Sequence, residues 1–439
     1  MTLRVRNVTW WEGPGGELRT CDLRVGDGTG GRVEPATAAP GPDETVIDGH
    51  GGVAMAGLVC AHHHLYSALA RGMPAPPRPP RGFAEILELV WWRLDRALDR
   101  EMILASALAG AIDAVRCGAT AIVDHHASPF ALPGALDALA EGLEAVGLAH
   151  VLCLELSDRD GAAVAAAGLA ETDAWLASGR PGLVGLHASF TVGDALLDRA
   201  VDLARSHGAG LHLHVAEDEV DQRSCLDAHG CRVVERLARA GGLDLPGTIL
   251  AHGLHLDDAE RDLVAASGAW LALNPESNQN NAVGAFFAAG LDPARFLIGT
   301  DGMHGDMLRS MQAAFLAGRA SGGLAPQDAW RALGNNRRYL EAHHPAAARA
   351  NDLVVMDYRP PTPLTDDNLL GHALFGLDAR QVRTVIAGGK VVLRDGRLTA
   401  IDEDATLEFC REQARRLWDA LERSQQKDKK HDSPHRPRP

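Results

Sequence analysis

Lysine is almost missing from this chain. Of 439 residues four are lysine (Lys390, Lys427, Lys429 and Lys430), against 39 arginines. Residues 1–389 hold none. That excludes a P-loop lysine, a Schiff-base lysine and a carboxylated lysine bridging two metal ions throughout that span. No run of 18 apolar residues occurs, so no membrane-spanning helix is expected. The start, MTLRVRNVTWW, lacks the charged-then-apolar pattern of a secretory leader. Seven cysteines, an odd number without a C-x-x-C pair, read as reduced thiols of a cytoplasmic protein rather than a disulfide framework. Positive charge is in deficit, with 43 Lys+Arg against 58 Asp+Glu and a formal net charge of −15. This opposes nucleic acid or an anionic membrane as partner. A small-molecule substrate and a homodimer or higher homo-oligomer are the expected associations.

What is present is a 46% hydrophobic chain long enough to bury a large core. Residues 1–56 read as short strands and turns. Within them GDGTGG (Gly26 to Gly31) matches a dinucleotide-binding fingerprint, but RVEPATAAPGP follows and cannot open a helix. From residue 57 eight apolar runs alternate with Ala/Leu-rich helical stretches: Leu58–His64, Thr120–His125, His150–Leu156, Leu183–His187, Gly210–Val215, Thr248–His252, Trp270–Asn274 and Phe296–Asp301. Helices are expected at Arg100–Cys117, Pro133–Val146, Gly193–Ser206 and Cys225–Ala240. Eight β-then-α units over some 250 residues predict an α/β fold, a (β/α)8 TIM-like barrel spanning 57–351. Residues 1–56 and 352–402 predict a small β-sandwich built from the N- and C-terminal segments. A closing helix is expected at 403–423, and the polar, Pro-ended tail 424–439 reads as disordered.

Chemistry in such a barrel collects at the carboxyl ends of the strands. The first run ends in AHHHLYS, and residues i and i+2 of a strand share a face, so His62 and His64 both point into the mouth. With His214 and Asp301 they compose a His3Asp set suited to one divalent metal ion, zinc first and iron second. The end of the fourth run is His187, not lysine, which favours one ion over two. Glu217, three residues past His214, is placed to shuttle protons of a metal-activated water. His252 is placed to polarise the substrate or stabilise a developing oxyanion. His212 reads as a packed or hydrogen-bonded histidine one layer deeper. His125 and His187 either touch substrate or orient a ligand. Trp91 and Trp92 are candidates to cover a flat ring, Trp92 as the substrate contact.

These segments have a family look. The patterns G-L-V-x-A-H-x-H, H-V-A-E, A-H-G-L-H, N-P-x-S-N and G-T-D-G stand in order along the chain. Together they resemble the amidohydrolase superfamily, in particular its cytosine deaminase, guanine deaminase and triazine chlorohydrolase branch. WWRLDRALD (Trp91–Asp99), IVDHHASP (Ile122–Pro129), LHASFTV (Leu186–Val192), NPESNQNNAVG (Asn274–Gly284), GTDGMHGDML (Gly299–Leu308) and PPTPLTDDNLLGHALFG (Pro360–Gly376) are similar to the SsnA-type aminohydrolases. The resemblance implies a metal-dependent barrel flanked by a β-sandwich. It implies His62, His64, His214 and Asp301 as metal ligands, Glu217 as proton shuttle and His252 as substrate-polarising residue. Two departures stand out. Ala56-Gly57 replaces the usual Pro-Gly before the first run, and Leu273 stands where a polar residue, often His, is usual.

The expected activity is hydrolysis of a C–N bond of a small purine-, pterin- or pyrimidine-like heterocycle, with ammonia leaving. Its rivals are ring-opening of a cyclic amide, halide release, and an inactive barrel serving in assembly. All six candidate positions carry competent residues, which weighs against the last.

Overall fold

The computed structural model describes residues 2–13, 16–28, 30–321 and 324–431, with side chains to residue 426. Its centre is eight strands: β1 (Leu58–His63), β2 (Ala119–His126), β3 (Ala149–Leu154), β4 (Val184–Ala188), β5 (Leu211–Val215), β6 (Ile249–His252), β7 (Trp270–Leu273) and β8 (Phe296–Ile298). Each lies at one of the eight apolar runs. β1–β2–β3 and β4–β5–β6–β7–β8 pair in parallel and in chain order. Every residue of these strands is buried. This is why they read as unbroken apolar runs rather than alternating ones: helices cover the outer face and the barrel interior covers the inner. Val59, Ala61, Ala121, Val123, Ala149, Val151, Cys153, Ile249, Ala272 and Leu297 fill that interior, with Tyr339 against them.

Two seams join the strand groups. Between β3 and β4, Leu183 N–H donates to Leu152 O (3.2 Å) and His187 N–H to Leu156 O (2.9 Å). Between β8 and β1, Thr300 and Asp301 N–H both donate to His62 O (3.0 and 3.2 Å). Asn336, from the helix Pro326–His343, spans the same seam. Its Nδ2 donates to Val59 O (2.6 Å) and Ile298 O (2.8 Å), and its Oδ1 accepts from Ile298 N–H (2.9 Å). Asn336→Leu would leave three buried backbone groups unpaired, at about 1–3 kcal/mol each. Denaturant titration should therefore show a loss of about 3–5 kcal/mol. A loss below about 1 kcal/mol would mean that the seam does not depend on this side chain.

The segments flanking the barrel share one eight-stranded sheet. In spatial order it runs Arg397–Leu398, Lys390–Arg394, Val382–Ala387, Leu353–Met356, Glu44–Ala56, Thr2–Trp11, Leu18–Val25 and Val33–Ala36. The antiparallel pairing of Glu44–Ala56 with Leu353–Met356 ties the two chain ends together. Gly57 then passes the chain into β1. A Cβ there would sit 2.2 Å from Thr120 Oγ1, so the close approach requires glycine whatever precedes it.

Two helical expectations need correction. The stretch Cys225–Ala240 is not one helix but two, Glu219–His229 and Val233–Arg239. Gly230 takes the left-handed φ of +66° and caps the first. The closing helix is Glu403–His431, so it runs past Arg423 into the segment read as a disordered tail. Cys410 Sγ of this helix reaches Ala105 O (3.3 Å) and Trp418 Nε1 donates to Leu69 O (2.9 Å), which fasten it to the barrel's outside. Residues 432–439 of the expected tail lie outside the described residues. Among the described residues no helix is long and apolar enough to cross a membrane.

Candidate active site

The carboxyl ends of the strands bring the histidines together. The β1–β2 register shifts between Cys60 and His63. That irregularity matters, because Val59 and Ala61 already pack in the barrel interior, and strict alternation would turn His62 outward. The shift re-aims His62 inward, as bulges at barrel rims do. His62 Nε2 lies 2.9 Å from Asp301 Oδ1, and its Nδ1 lies 2.8 Å from His212 Nε2. His63 turns the other way, to Thr300 Oγ1 (2.7 Å).

His64 and His214 each donate an Nδ1–H to a backbone carbonyl, His125 O (2.6 Å) and His187 O (2.9 Å). This leaves Nε2 as the only ring nitrogen available to a ligand. The two Nε2 atoms face each other at 3.1 Å, with Asp301 Oδ1 3.0 Å from that of His64. Two lone pairs at this distance repel unless a cation lies between them. Bonds of about 2.0–2.1 Å in a tetrahedron place donor atoms about 3.3 Å apart, close to these separations. Burial holds His62 at about 3 and lowers His214 well below its ordinary value, so both rings are neutral. His64 is pushed up to about 9: burial opposes this, but the hydrogen bond and charge of Asp301 prevail. A cation there would take the place of that proton. The donor set fits a divalent ion of zinc or ferrous-iron type.

His62, His214, His252 and Asp301 form one group whose donor atoms lie within 4.8 Å of one another; His64, His125, Glu155 and His214 form a second. The two groups share His214. His214 serves both and has one free nitrogen, and His64 already faces Asp301.

Glu217 and His252 complete the cluster. His252 Nδ1–H donates to Asn278 Oδ1 (2.8 Å), which aims Nε2 at Glu217 Oε2 (3.6 Å) and Asp301 Oδ2 (3.9 Å). Burial first, and then the charge of Asp301, raise the Glu217 carboxyl well above the usual carboxylate range. Asp301 is held well below it, because His252, His62 and His64 outweigh burial. The two carboxyls are thus pushed in opposite directions. Ala216, His252 and Asp301 all adopt left-handed φ (49°, 74° and 52°). Such strain at three strand ends of one mouth marks a site where side-chain aim overrides backbone comfort.

Above these groups opens a cavity of about 660 Å³, including its mouth. Glu217 and Asp301 lie on its floor, and Tyr66, Trp91, Trp92 and His187 line its sides. His125 does not line it. Fully buried beneath, His125 donates Nε2–H toward Leu186 O and His212 O (3.1 Å each), while its carbonyl orients His64. Sequence reading missed Glu155, which also lines the cavity. It directly follows β3, but a single carboxylate inside the apparent apolar run His150–Leu156 gives no signal of its own. Asn278 and Ser277, whose Oγ donates to Asp301 Oδ2 (2.5 Å), were likewise unassigned within NPESN.

His212 is buried behind His62 as a hydrogen-bond partner of its Nδ1. Where a histidine ligates a metal, partners of this kind set the affinity. His212→Ala should weaken zinc binding about 10- to 100-fold, read by competition with a chromogenic chelator. Unchanged affinity would remove His212 from the support of this site.

Comparison with known proteins agrees with this geometry. Residues 53–392 match the amidohydrolase family, and the chain belongs to it. A 5-methylthioadenosine/S-adenosylhomocysteine deaminase of Halobacterium salinarum is 30% identical over 436 residues, covering 92% of this chain and 97% of that protein. A 5'-deoxyadenosine deaminase of Methanothermobacter thermautotrophicus is 28% identical over 411 residues, covering 87% and 91%. Two solved structures share the fold. The zinc-bound adenosine deaminase of Xanthomonas campestris has a TM-score of 0.75 at 22% identity, covering 95% of this chain and 98% of its own. An atrazine chlorohydrolase of Arthrobacter aurescens, complexed with zinc and atraton, has a TM-score of 0.75 at 18% identity, covering 94% and 100%. As a member of this family the chain is a metal-dependent hydrolase acting on carbon–nitrogen bonds.

Proposed function

We propose that the protein is an aminohydrolase that removes an amino group, as ammonia, from an sp2 carbon of a purine-, pterin- or pyrimidine-like ring. The observation that carries this reading is the placement of two carboxyls, Glu217 and Asp301, 3.6 and 3.9 Å from His252 Nε2 and lining one cavity. The names of the adenosine-derivative deaminases among its relatives support it.

In this reading His62, His64, His214 and Asp301 hold one divalent ion, zinc or ferrous iron. When bound, such an ion acidifies a water molecule and offsets negative charge that develops during attack. Asp301 accepts a proton of the attacking water through the oxygen that Ser277 fixes. Glu217 gives its proton to a ring nitrogen beside the reacting carbon and recovers one from the water. His252, with its Nδ1–H held by Asn278, presents Nε2 as an acceptor that orients the water for attack. A C–O bond forms, the C–N bond breaks, and Asp301 passes the proton it took from the water to the amino nitrogen, which leaves as ammonia. A ring stacks on Trp92 with His187 at its edge. One ion per chain follows from the single free nitrogen of His214 and from the missing lysine on β4.

The test combines metal analysis with an ammonia-release screen over purines, pterins and pyrimidines. About one zinc or iron per chain is expected. Dipicolinate should lower turnover by more than about 100-fold, with recovery on adding zinc. Two ions per chain would overturn the mononuclear reading. A new carboxylate in the product without ammonia would replace deamination by ring opening.

A further inference from the structure

We infer that Asn281 is a positioning residue whose side-chain amide ties Ser277, and through it Asp301, to Glu217, fixing the two proton-handling carboxyls relative to each other. The inference rests on the aminohydrolase reading and deepens it by assigning what holds its acid–base pair.

The backbone of Asn281 is pinned from both sides. The helix Pro275–Asn280 opens on its proline, and Asn281 is its C-cap (φ −83°, ψ −6°). Asn281 N–H donates to Ser277 O (2.8 Å), so the two side chains stand one turn apart on one face. Ala282 N–H then donates to Gln279 O and Val283 N–H to Asn278 O (3.2 Å each), which is a Schellman closure. Ala282 takes a left-handed φ of 54° at the place where glycine is usual. Val283, buried among Phe83, Leu87 and Leu254, anchors the chain just beyond. A strained turn held by an apolar plug leaves Asn281 little backbone freedom.

Hydrogen bonds set the direction of the amide. Asn280 Nδ2 donates to Asn281 Oδ1 (3.1 Å), which leaves Asn281 Nδ2 to face the site. Asn281 Nδ2 donates to Ser277 Oγ (3.3 Å), and the Ser277 hydroxyl donates in turn to Asp301 Oδ2 (2.5 Å). Three donors thus follow one another and end on Asp301, each polarising the next. The Asn281 side chain also hydrogen-bonds the Glu217 carboxyl. One NH2 group therefore serves both halves of the pair and needs both of its hydrogens to do so. Asn281, Ser277, Glu217 and Asp301 all line the same cavity. Misplacing a reacting group there by about 1 Å costs on the order of 100-fold in rate.

The experiment compares zinc-loaded wild type with Asn281→Leu, which keeps the size, and Asn281→Asp, which keeps the shape but loses the NH2. The substrate is whichever of adenine, guanine, cytosine and pterin releases ammonia fastest. In both variants kcat should fall about 10- to 100-fold while KM stays within about threefold. The losses of Asn281→Leu and Ser277→Ala should not multiply. Both act on Asp301, so the double variant should keep at least about twofold more activity than their product predicts. Zinc content should not change. Crystal structures give a readout without turnover: in Asn281→Leu the Glu217 and Ser277 side chains should leave their wild-type rotamers while the helix Pro275–Asn280 stays in place. A kcat within about twofold of wild type, a loss confined to KM, losses that multiply, or loss of zinc would each overturn the inference. So would Glu217 and Ser277 side chains that do not move. If none of the four rings releases ammonia, the aminohydrolase reading fails on them, and the crystal structures alone decide the inference.

Discussion

Glu217→Gln should bring turnover down by at least about 10³-fold while the protein keeps its metal, because general acid–base catalysis contributes up to about 10⁴. Glu217 sits beside His252 Nε2 and Asp301, not among the atoms proposed to hold the ion. The amide has the shape of the protonated carboxyl and can still donate a hydrogen bond, but it can neither accept a proton from water nor release one to the ring nitrogen. Folding should not suffer. The folded pKa of Glu217 is raised above its unfolded value, so the folded state holds this proton more tightly. Its ionisation therefore costs stability, and the cost grows as pH rises from about 4.3, the unfolded value, toward the folded one. Gln carries no such cost, so Glu217→Gln should melt no lower than wild type at pH 7. Metal analysis, thermal unfolding and ammonia release on one preparation decide the matter. Turnover within tenfold of wild type would remove Glu217 from the mechanism.

The sequence made the barrel legible because each strand is buried on both faces and so stands out as an apolar run ending in a chemical group. Legibility failed where tertiary contacts decide. The i, i+2 argument put His62 and His64 in the mouth, yet the interior positions of Val59 and Ala61 show that the β1 irregularity is also needed. A register shift leaves no trace in a run of apolar residues and histidines. Gly230 did announce the helix break in its own way, but a glycine inside an amphipathic stretch is common enough to be read through. Asn336 is 277 residues from Val59, whose carbonyl it holds, and no local pattern shows such a pairing. His125 looked like its neighbours at strand ends. Only the carbonyls around its Nε2 place it under the floor rather than at the substrate.

Asp301→Asn should cost the protein both its ion and its activity, because a single carboxylate joins the two functions. Its Oδ1 lies 2.9 and 3.0 Å from the Nε2 atoms of His62 and His64, and its Oδ2 accepts from Ser277 and faces His252. Asn is the informative replacement. Position 301 has a left-handed φ of 52°, which asparagine tolerates better than alanine, so backbone strain does not confuse the result. The amide keeps an oxygen for an ion but removes the only negative charge in the proposed ligand set. Its NH2 must then face either the imidazole lone pairs or the Ser277 hydroxyl. Zinc affinity should fall more than about 10-fold, and turnover at saturating zinc should still fall about 10³-fold, since the water loses its proton acceptor as well. Ser277→Ala separates the two functions: the ion should stay while turnover falls about tenfold, because only the aim of Oδ2 is lost. Full turnover of Asp301→Asn at saturating zinc would confine Asp301 to holding the ion and leave Glu217 to handle every proton.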